Sequence, residues 1–374
     1  LGPAKRGVCR RLVLVWLLLS VCLVSGGQAA QEEFRLARPG WEFAFPRDHA
    51  AHPDFKTEWW YYTGHLTAAD GRPYGYELTF FRVGLHRPDP KARSAWALHT
   101  LYFAHLALTD VQGKTFLFQE KTGRGALGMS GAATDRYLVW IDDWRAELDG
   151  DRHHLQAKAA DLALDLWLTP TKPPVIHGQN GVSQKAAGEG FASHYYSLTR
   201  LETAGRLTYK GRTFSVRGLS WMDHEFSSSQ LAPYQAGWDW FSLQLDNGED
   251  LMLYVMRQQD GSFDPSSAGT LVAAQGSAQH LQLADFAIKP LGTWKSPRSG
   301  AVYPAGWQIS LPQQGYELAL HPAIPDQELS TSQSTQVTYW EGSVRVSGSR
   351  NGQPVQGQGY VELTGYAGKL GGKF

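Results

Sequence analysis

The chain has 374 residues, 42% of them hydrophobic, which is enough for two domains that each bury a core without a cofactor or a disulfide. Its 35 basic and 35 acidic residues balance, so no nucleic-acid-binding footprint is present. Both of its cysteines, Cys9 and Cys22, lie close to the start.

Lys5, Arg6, Arg10 and Arg11 precede an apolar run from Leu12 to Val24, and Ser25-Gly26-Gly27 and Ala29-Ala30 follow it. That is the pattern of a signal peptide over residues 1–30. The apolar run of about 13 residues is shorter than the roughly 20 that a spanning helix needs. Leu19-Ser20-Val21-Cys22 has the outline of a lipoprotein box, with Val21 where a small residue is expected. A mature chain starting near Gln31 has no cysteine, which excludes disulfides, thiolate catalysis and Cys-ligated zinc within it. It carries 31 basic and 35 acidic residues, a net charge of −4. The expected location is periplasmic or extracellular, with membrane attachment only through lipidation or export.

From Thr57 onward the texture is that of strands: short aromatic and β-branched runs divided by Asp-Gly, Asn-Gly and Lys-Gly pairs, with no sustained helical period. Trp59 to Ala68, a turn at Asp70-Gly71 and Tyr74 to Leu85 read as a hairpin, and Leu98 to Thr109 with Thr115 to Gln119 as another around Gln112-Gly113. His153-His154 follows a turn and is expected to be solvated. Leu162, Leu164, Leu166 and Leu168 share one face of a strand, which is core. His177 to Gly190 is Gly- and Gln-rich without an apolar period, and reads as a mobile surface loop. Ser227-Ser228-Ser229-Gln230 followed by Ala232-Pro233 has the composition of a linker, dividing the chain into residues 31–228 and 229–374. A weak repeat relates these halves: Glu58-Trp59-Trp60-Tyr61-Tyr62 leading to Phe80-Phe81-Arg82 is echoed by Trp238-Asp239-Trp240-Phe241 leading to Tyr254-Val255-Met256-Arg257. Regularly spaced strands of this kind suit sheets that close on themselves, since closure removes exposed edges.

The densest polar cluster is Trp221-Met222-Asp223-His224-Glu225-Phe226. On an extended chain Asp223 and Glu225 point one way and His224 the other. A carboxyl group beside aromatic walls is desolvated, and its raised pKa suits it to donate a proton near neutral pH. The same cluster also reads as a hydrogen-bonded strand end bracing the junction between halves. Glu58 shares parity with Trp60 and Tyr62, with Arg82 as its expected neutralising partner. Asp239 and Arg257 repeat that pair in the second half. The 13 histidines are scattered, without His-Glu-x-x-His or other tight spacing, and His99 and His105 lie about 20 Å apart along an extended strand, so no metal site is expected. No Gly-x-Ser-x-Gly elbow occurs. Trp, Tyr and Phe make up 12% of the chain; most fill cores, and the remainder suit a pocket for an apolar ligand.

Several segments together resemble the family of carotenoid 1,2-hydratases, AttH-type proteins encoded beside ABC transporters, and predicted secreted hydrolases. They are His52-Pro53-Asp54, Glu58 to Gly64, Leu78 to Arg82, Ala104-His105, Leu108-Thr109-Asp110, His177-Gly178 and Tyr195-Tyr196-Ser197, followed by Trp221 to Glu225, Gly237 to Trp240, Tyr339 to Gly342 and Gly359 to Tyr366. The resemblance implies an all-β fold of two consecutive lipocalin-like antiparallel barrels with a ligand site near their junction. It also implies kinship with hydratases that protonate an isolated alkene before adding water, using an aspartate on a strand of the second half. The corresponding strand here, Leu251 to Met256, has no carboxylate, which leaves Asp223 or Glu225 as candidates.

The combined expectation is an exported protein, without a cofactor, that holds an apolar lipid or isoprenoid between two barrels. Asp223 or Glu225 would donate a proton for hydration or hydrolysis, and His224 would orient the acid or the water. Ligand contacts are expected from Glu58, Trp60, Tyr62, Arg82, Trp221, Trp238, Asp239, Trp240, Tyr254 and Arg257. The competing expectation is a non-catalytic carrier or accessory component of an ABC-type export system.

Overall fold

Side chains of an extended strand alternate between its two faces, and that period organises nearly all of this molecule. The computed structural model describes residues 34–87, 94, 98–229 and 231–370, together with Gly2. Apart from Gly2, the expected signal peptide, with both cysteines, thus lies outside the described residues. Helical structure among them amounts to three 3-10 turns of three residues each, so no described helix is long and apolar enough to cross a membrane.

Two meanders and a long hairpin make the first sheet. β1 (Thr57–Ala68), β2 (Pro73–Gly84), β3 (Thr100–Asp110) and β4 (Thr115–Arg124) form one meander. β5 (Ser130–Ala132), β6 (Leu138–Ile141), β7 (Trp144–Asp149), β8 (Arg152–Lys158) and β9 (Leu162–Pro170) form the other. Short strands β10 (Val175–Ile176) and β11 (Ser183–Gln184) lead into the hairpin of β12 (Ala192–Tyr209) and β13 (Arg212–Ser229), which joins the meanders. The hydrogen-bonded order is β4-β3-β2-β1-β13-β12-β9-β8-β7-β6-β5, antiparallel throughout, and β4 returns against β5 and β6. The result is a nearly closed barrel, filled by residues that include Trp60, Tyr62, Leu78, Phe80, Leu106, Leu164, Leu166 and Met222.

The second sheet begins with β14 (Gln235–Leu245), β15 (Asp250–Gln258), β16 (Ala268–Val272), β17 (Ala278–Gln282) and β18 (Ala287–Pro290). A small hairpin of β19 (Thr293–Lys295) and β20 (Val302–Pro304) interrupts it. It continues with β21 (Trp307–Leu311), β22 (Tyr316–Pro322), β23 (Glu328–Ser330), β24 (Thr338–Arg350) and β25 (Gln353–Leu363). The order is β17-β16-β15-β14-β25-β24-β22-β21-β18, around its own core of Phe241, Leu243, Leu253, Trp307, Trp340 and Val361.

A third apolar layer lies between the two sheets. Tyr61, Tyr195, Trp221, Trp240, Tyr254, Met256, Tyr339 and Tyr360 belong to it. β1 is therefore buried on both faces: Trp60 and Tyr62 enter the barrel, while Tyr61 enters the layer between sheets. Each fully buried large apolar side chain is worth roughly 1.5–3 kcal/mol, so both faces contribute to stability. Close approach depends on Gly75, where a Cβ would collide with the Tyr360 hydroxyl and Ser343.

Three local expectations are corrected. His153 and His154 are both buried: His153 Nδ1 meets the Tyr62 hydroxyl at 2.8 Å, and His154 stacks on Trp167 at 3.9 Å between ring centres. The segment 177–190 is no free loop, because Ser183 and Gln184 pair with β12 and His177, Ser183 and Lys185 are buried. Small polar residues there fit between strands, so low hydrophobicity misreads as exposure. Ser227 to Ser229 likewise continue β13, with Ser227 opposite Thr57, and the second sheet begins at Gln235.

Candidate functional site

Between the sheets the apolar layer opens into a cavity of about 300 Å³. Its first wall comes from the outer face of the barrel: Trp59 and Tyr61 on β1, Glu77, Thr79 and Phe81 on β2, Phe103 and His105 on β3, and Asp223 and Glu225 on β13. The opposite wall comes from Trp238 and Trp240 on β14, Tyr254 and Met256 on β15, Tyr339 on β24, and Glu362 on β25. The lining surface is mainly apolar, with carboxyl groups set into it.

Strand parity decides which residues reach this space. Asp223 and Glu225 face it together, and His224 points the other way into the barrel. His224 is fully buried, meeting Glu58 Oε1 through Nε2 at 2.8 Å and the Tyr196 hydroxyl through Nδ1 at 3.1 Å. It touches neither acid, and the orienting role expected of it has no geometric support. Trp60 and Tyr62 are likewise barrel-core residues, whereas their neighbours Trp59 and Tyr61 line the cavity. The parity that groups Glu58 with Trp60 and Tyr62 is right, and Trp60 and Tyr62 turn into the barrel, whereas Glu58 and its partner Arg82, near the ends of their strands, also border the cavity.

Glu58 anchors a buried polar network at one end of the barrel. Arg82 Nε donates to Glu58 Oε2 at 2.9 Å, and the His52 and His224 rings both donate to Oε1 at 2.8 Å. Burial opposes the charge on Glu58, but Arg82, His224 and His52 outweigh it and hold its pKa well below the usual value. His52 Nδ1, Glu58 Oε1 and His224 Nε2 lie within 4.8 Å of one another, the spacing of metal ligands. The scattered sequence positions conceal this triad. With each donor already hydrogen-bonded and the second carboxylate oxygen paired to Arg82, the network is saturated as it stands. Asp239 and Arg257 form the analogous ion pair at 2.7 Å, also bound to the Tyr366 hydroxyl, and neither lines the cavity.

Asp223 sits in a set of hydrogen-bond donors. Tyr195 donates to Oδ2 at 2.8 Å, Trp221 Nε1 donates to Oδ1 at 2.6 Å, and the Ser197 hydroxyl also donates to Oδ1. Burial dominates over these three bonds and pushes the Asp223 carboxyl up to about 7, with Glu225 adding repulsion. Trp221 thus holds the acid from behind and is not part of the lining. Behind Ser197 stands His177, whose Nε2 is 2.6 Å from the serine hydroxyl and whose Nδ1 is 2.8 Å from Thr270. The imidazole coupled to the acid is therefore His177, delivered by the segment that reads as a loop. Lys185, from the same segment, pairs with Glu225 at 3.1 Å and lies 4.0 Å from the centre of the Tyr254 ring.

Three further carboxyls were not singled out by the sequence. Glu362 accepts from Trp238 Nε1 at 2.8 Å, and burial, reinforced by Glu77, Asp223 and Glu225, pushes it up to about 8. Burial pushes Glu77 up to about 7, against hydrogen bonds from Thr79 and Tyr339. Glu341 accepts from the Tyr61 hydroxyl at 2.7 Å, and burial together with Glu77 and Glu362 raises it well above the ordinary range. Glu341 and Glu362 are direct cross-strand neighbours. Their one available signal is a charged residue among apolar ones on strands such as Tyr339-Trp340-Glu341 and Tyr360-Val361-Glu362.

A nearly closed antiparallel barrel followed by a second sheet, with buried acids in a cavity between them, places the protein in the lipocalin-like class of folds. The chain belongs to the AttH-like family, whose model matches residues 36–366. It is similar to the crystal structure of an AttH-type protein from Nitrosomonas europaea, with 36% identity and a TM-score of 0.80, covering 89% of this chain and 100% of that one. The fold is shared with kievitone hydratase from Nectria haematococca at 16% identity and a TM-score of 0.67, covering 90% and 97%. It is also shared with CghA, solved with Sch210972, at 13% identity and a TM-score of 0.54, covering 90% and 98%. No functionally curated protein matches the sequence.

Proposed function

We propose that the protein takes an apolar small molecule into the cavity between its sheets and catalyses acid-initiated addition of water to it. The observation that carries this reading is Asp223, a carboxyl raised to about 7 and exposed to an aromatic-lined space. Near neutral pH such a group is present as an acid in useful amount and is a stronger donor than an unperturbed side chain with a higher pKa. Asp223 protonates the alkene, Trp59, Tyr61 and Trp240 offer ring faces to the cation that forms, and water attacks it. The proton released by that water goes to Glu225, whose partner Lys185 stands beside it. Return of that proton from Glu225 to Asp223, which faces the same cavity, restores both groups with no net proton consumed. A cavity of about 300 Å³ is at the small end of ligand pockets, which suits one isoprenoid end or a short prenylated molecule better than a whole carotenoid. Export belongs to the same proposal and is supported by the basic-apolar-small pattern of residues 1–30.

The test is incubation with a panel of acyclic isoprenoid alcohols and prenylated phenols in oxygen-18 water, with mass spectrometry reading incorporated oxygen. Asp223→Asn is expected to lower kcat by about a hundredfold or more while ligand affinity, followed by Trp fluorescence, is retained. Binding without label incorporation by the wild type would replace this reading with that of a carrier. Undiminished turnover in Asp223→Asn would remove Asp223 from it.

A further inference from the structure

The proposed reaction leaves the cavity carboxyls Glu77 and Glu362 without a task, and Glu77 is the one that a hydrogen-bonded chain joins to the rim. Glu77 is 1% exposed and lines the cavity, and its Oε2 is without a hydrogen-bond partner. Its other oxygen begins an unbroken chain of exchangeable groups. The Tyr339 hydroxyl donates to Glu77 Oε1 at 3.3 Å and lies 2.7 Å from His105 Nδ1. His105 Nε2 lies 2.9 Å from the Ser334 hydroxyl, which in turn meets Glu120 Oε2. Glu120 is half-buried on β4, directly opposite His105 in the register of β3 and β4. The path runs from β2 through β24 and β3 to the segment following β23, and so is assembled from both halves of the chain.

We propose that Glu77 is a further proton-transfer group of the cavity, fed from the half-buried carboxylate of Glu120 through Ser334, His105 and Tyr339. The balance is that of a relay. A proton on Glu120 passes to Ser334, whose own proton moves to His105 Nε2. His105 releases its Nδ1 proton to Tyr339, and the Tyr339 hydroxyl proton moves to Glu77. Each intermediate gains one proton and loses one, leaving Glu77 protonated, Glu120 ionised and His105 in the other tautomer. Such a relay needs an imidazole that is neutral at rest, and burial lowers the His105 pKa to about 3. The chain is a route by which a carboxyl group of the cavity is brought to its working protonation state from the surface. The catalytic use of Glu77 rests on the hydration reading, whereas the conduction of protons does not.

Stopped-flow infrared spectroscopy on transfer into D2O tests conduction directly. The carboxylic-acid band that disappears in Glu77→Gln identifies Glu77, and its deuterium shift times proton exchange at that group, whether or not the protein turns over any substrate. Tyr339→Phe and His105→Ala are expected to slow the exchange by about a hundredfold, and added imidazole to restore it in His105→Ala. Where either variant does not fold, Ser334→Ala interrupts the chain at its half-buried outer end with the same expected direction. Exchange as fast in these variants as in the wild type, or no acid band lost in Glu77→Gln, overturns the relay. A slowed exchange in a protein that hydrates nothing retains the relay and removes only its catalytic use.

Discussion

An acid kept protonated by burial destabilises the fold once it is forced to ionise, and Asp223 makes that cost measurable. Its pKa rises from 3.8 to about 7 on folding, mainly through burial. Between these values the folded state binds a proton that the unfolded chain does not, so stability falls as pH rises. Asparagine at this position does not titrate and removes that slope. From about pH 5.5 to about pH 8.5 the native carboxyl releases its proton over roughly 1.5 pH units of linkage, which at 1.36 kcal/mol each amounts to about 2 kcal/mol. Below about pH 5.5 the slope continues until the unfolded carboxyl also protonates. Urea unfolding of the wild type and Asp223→Asn at the two pH values and constant salt reads the difference. The wild type should lose about 2 kcal/mol more than the variant across this window. Equal losses would mean that Asp223 is already ionised at the lower pH, and would take away the acid on which the proposed chemistry depends.

Two other perturbations follow from packing and charge. Arg82→Met leaves Glu58 as a buried carboxylate without its ion-pair partner, and should cost about 3–5 kcal/mol in urea unfolding at neutral pH. Adding Glu58→Gln should recover part of that loss, and a double mutant no more stable than Arg82→Met would argue against charge burial as the cause. Gly75→Ala puts a methyl group against Tyr360 and Ser343 and should cost about 1–3 kcal/mol by overpacking. An unchanged thermal midpoint for Gly75→Ala would show that the two sheets yield there.

Much of the local structure was legible in the chain because it depends on near neighbours. The hairpins at Asp70-Gly71 and Gln112-Gly113, the leucine face of β9, the opposed directions of His224 and its flanking acids, and the Glu58–Arg82 pair all follow from the two-residue period and from register across a tight turn. Periodicity divides a strand into two faces, but it does not name the environment of each. In an isolated barrel one face of β1 would be core and the other solvent; here the second sheet buries the other face too, and hydrophobicity no longer distinguishes them. That is why Trp60 and Tyr62 were expected where Trp59 and Tyr61 stand. The segment 177–190 was misread for the same reason, because small polar residues packed between strands look like solvated ones.

The two-residue period and the turn pairs suffice for an all-β chain, for the strand pairing within its hairpins, and for an acid pair set among aromatics on one face of residues 223–225. Its motifs also carried the family resemblance. What those acids face depends on how the two sheets close on one another. Tyr339 meets Glu77 from 262 residues away, Tyr61 meets Glu341 from 280, and His177 reaches Asp223 through Ser197. Contacts of that span are made by sheets closing on one another. The raised pKa values that give the cavity its chemistry arise from the desolvation this closure imposes, a property of the assembled layers that no short window of residues contains.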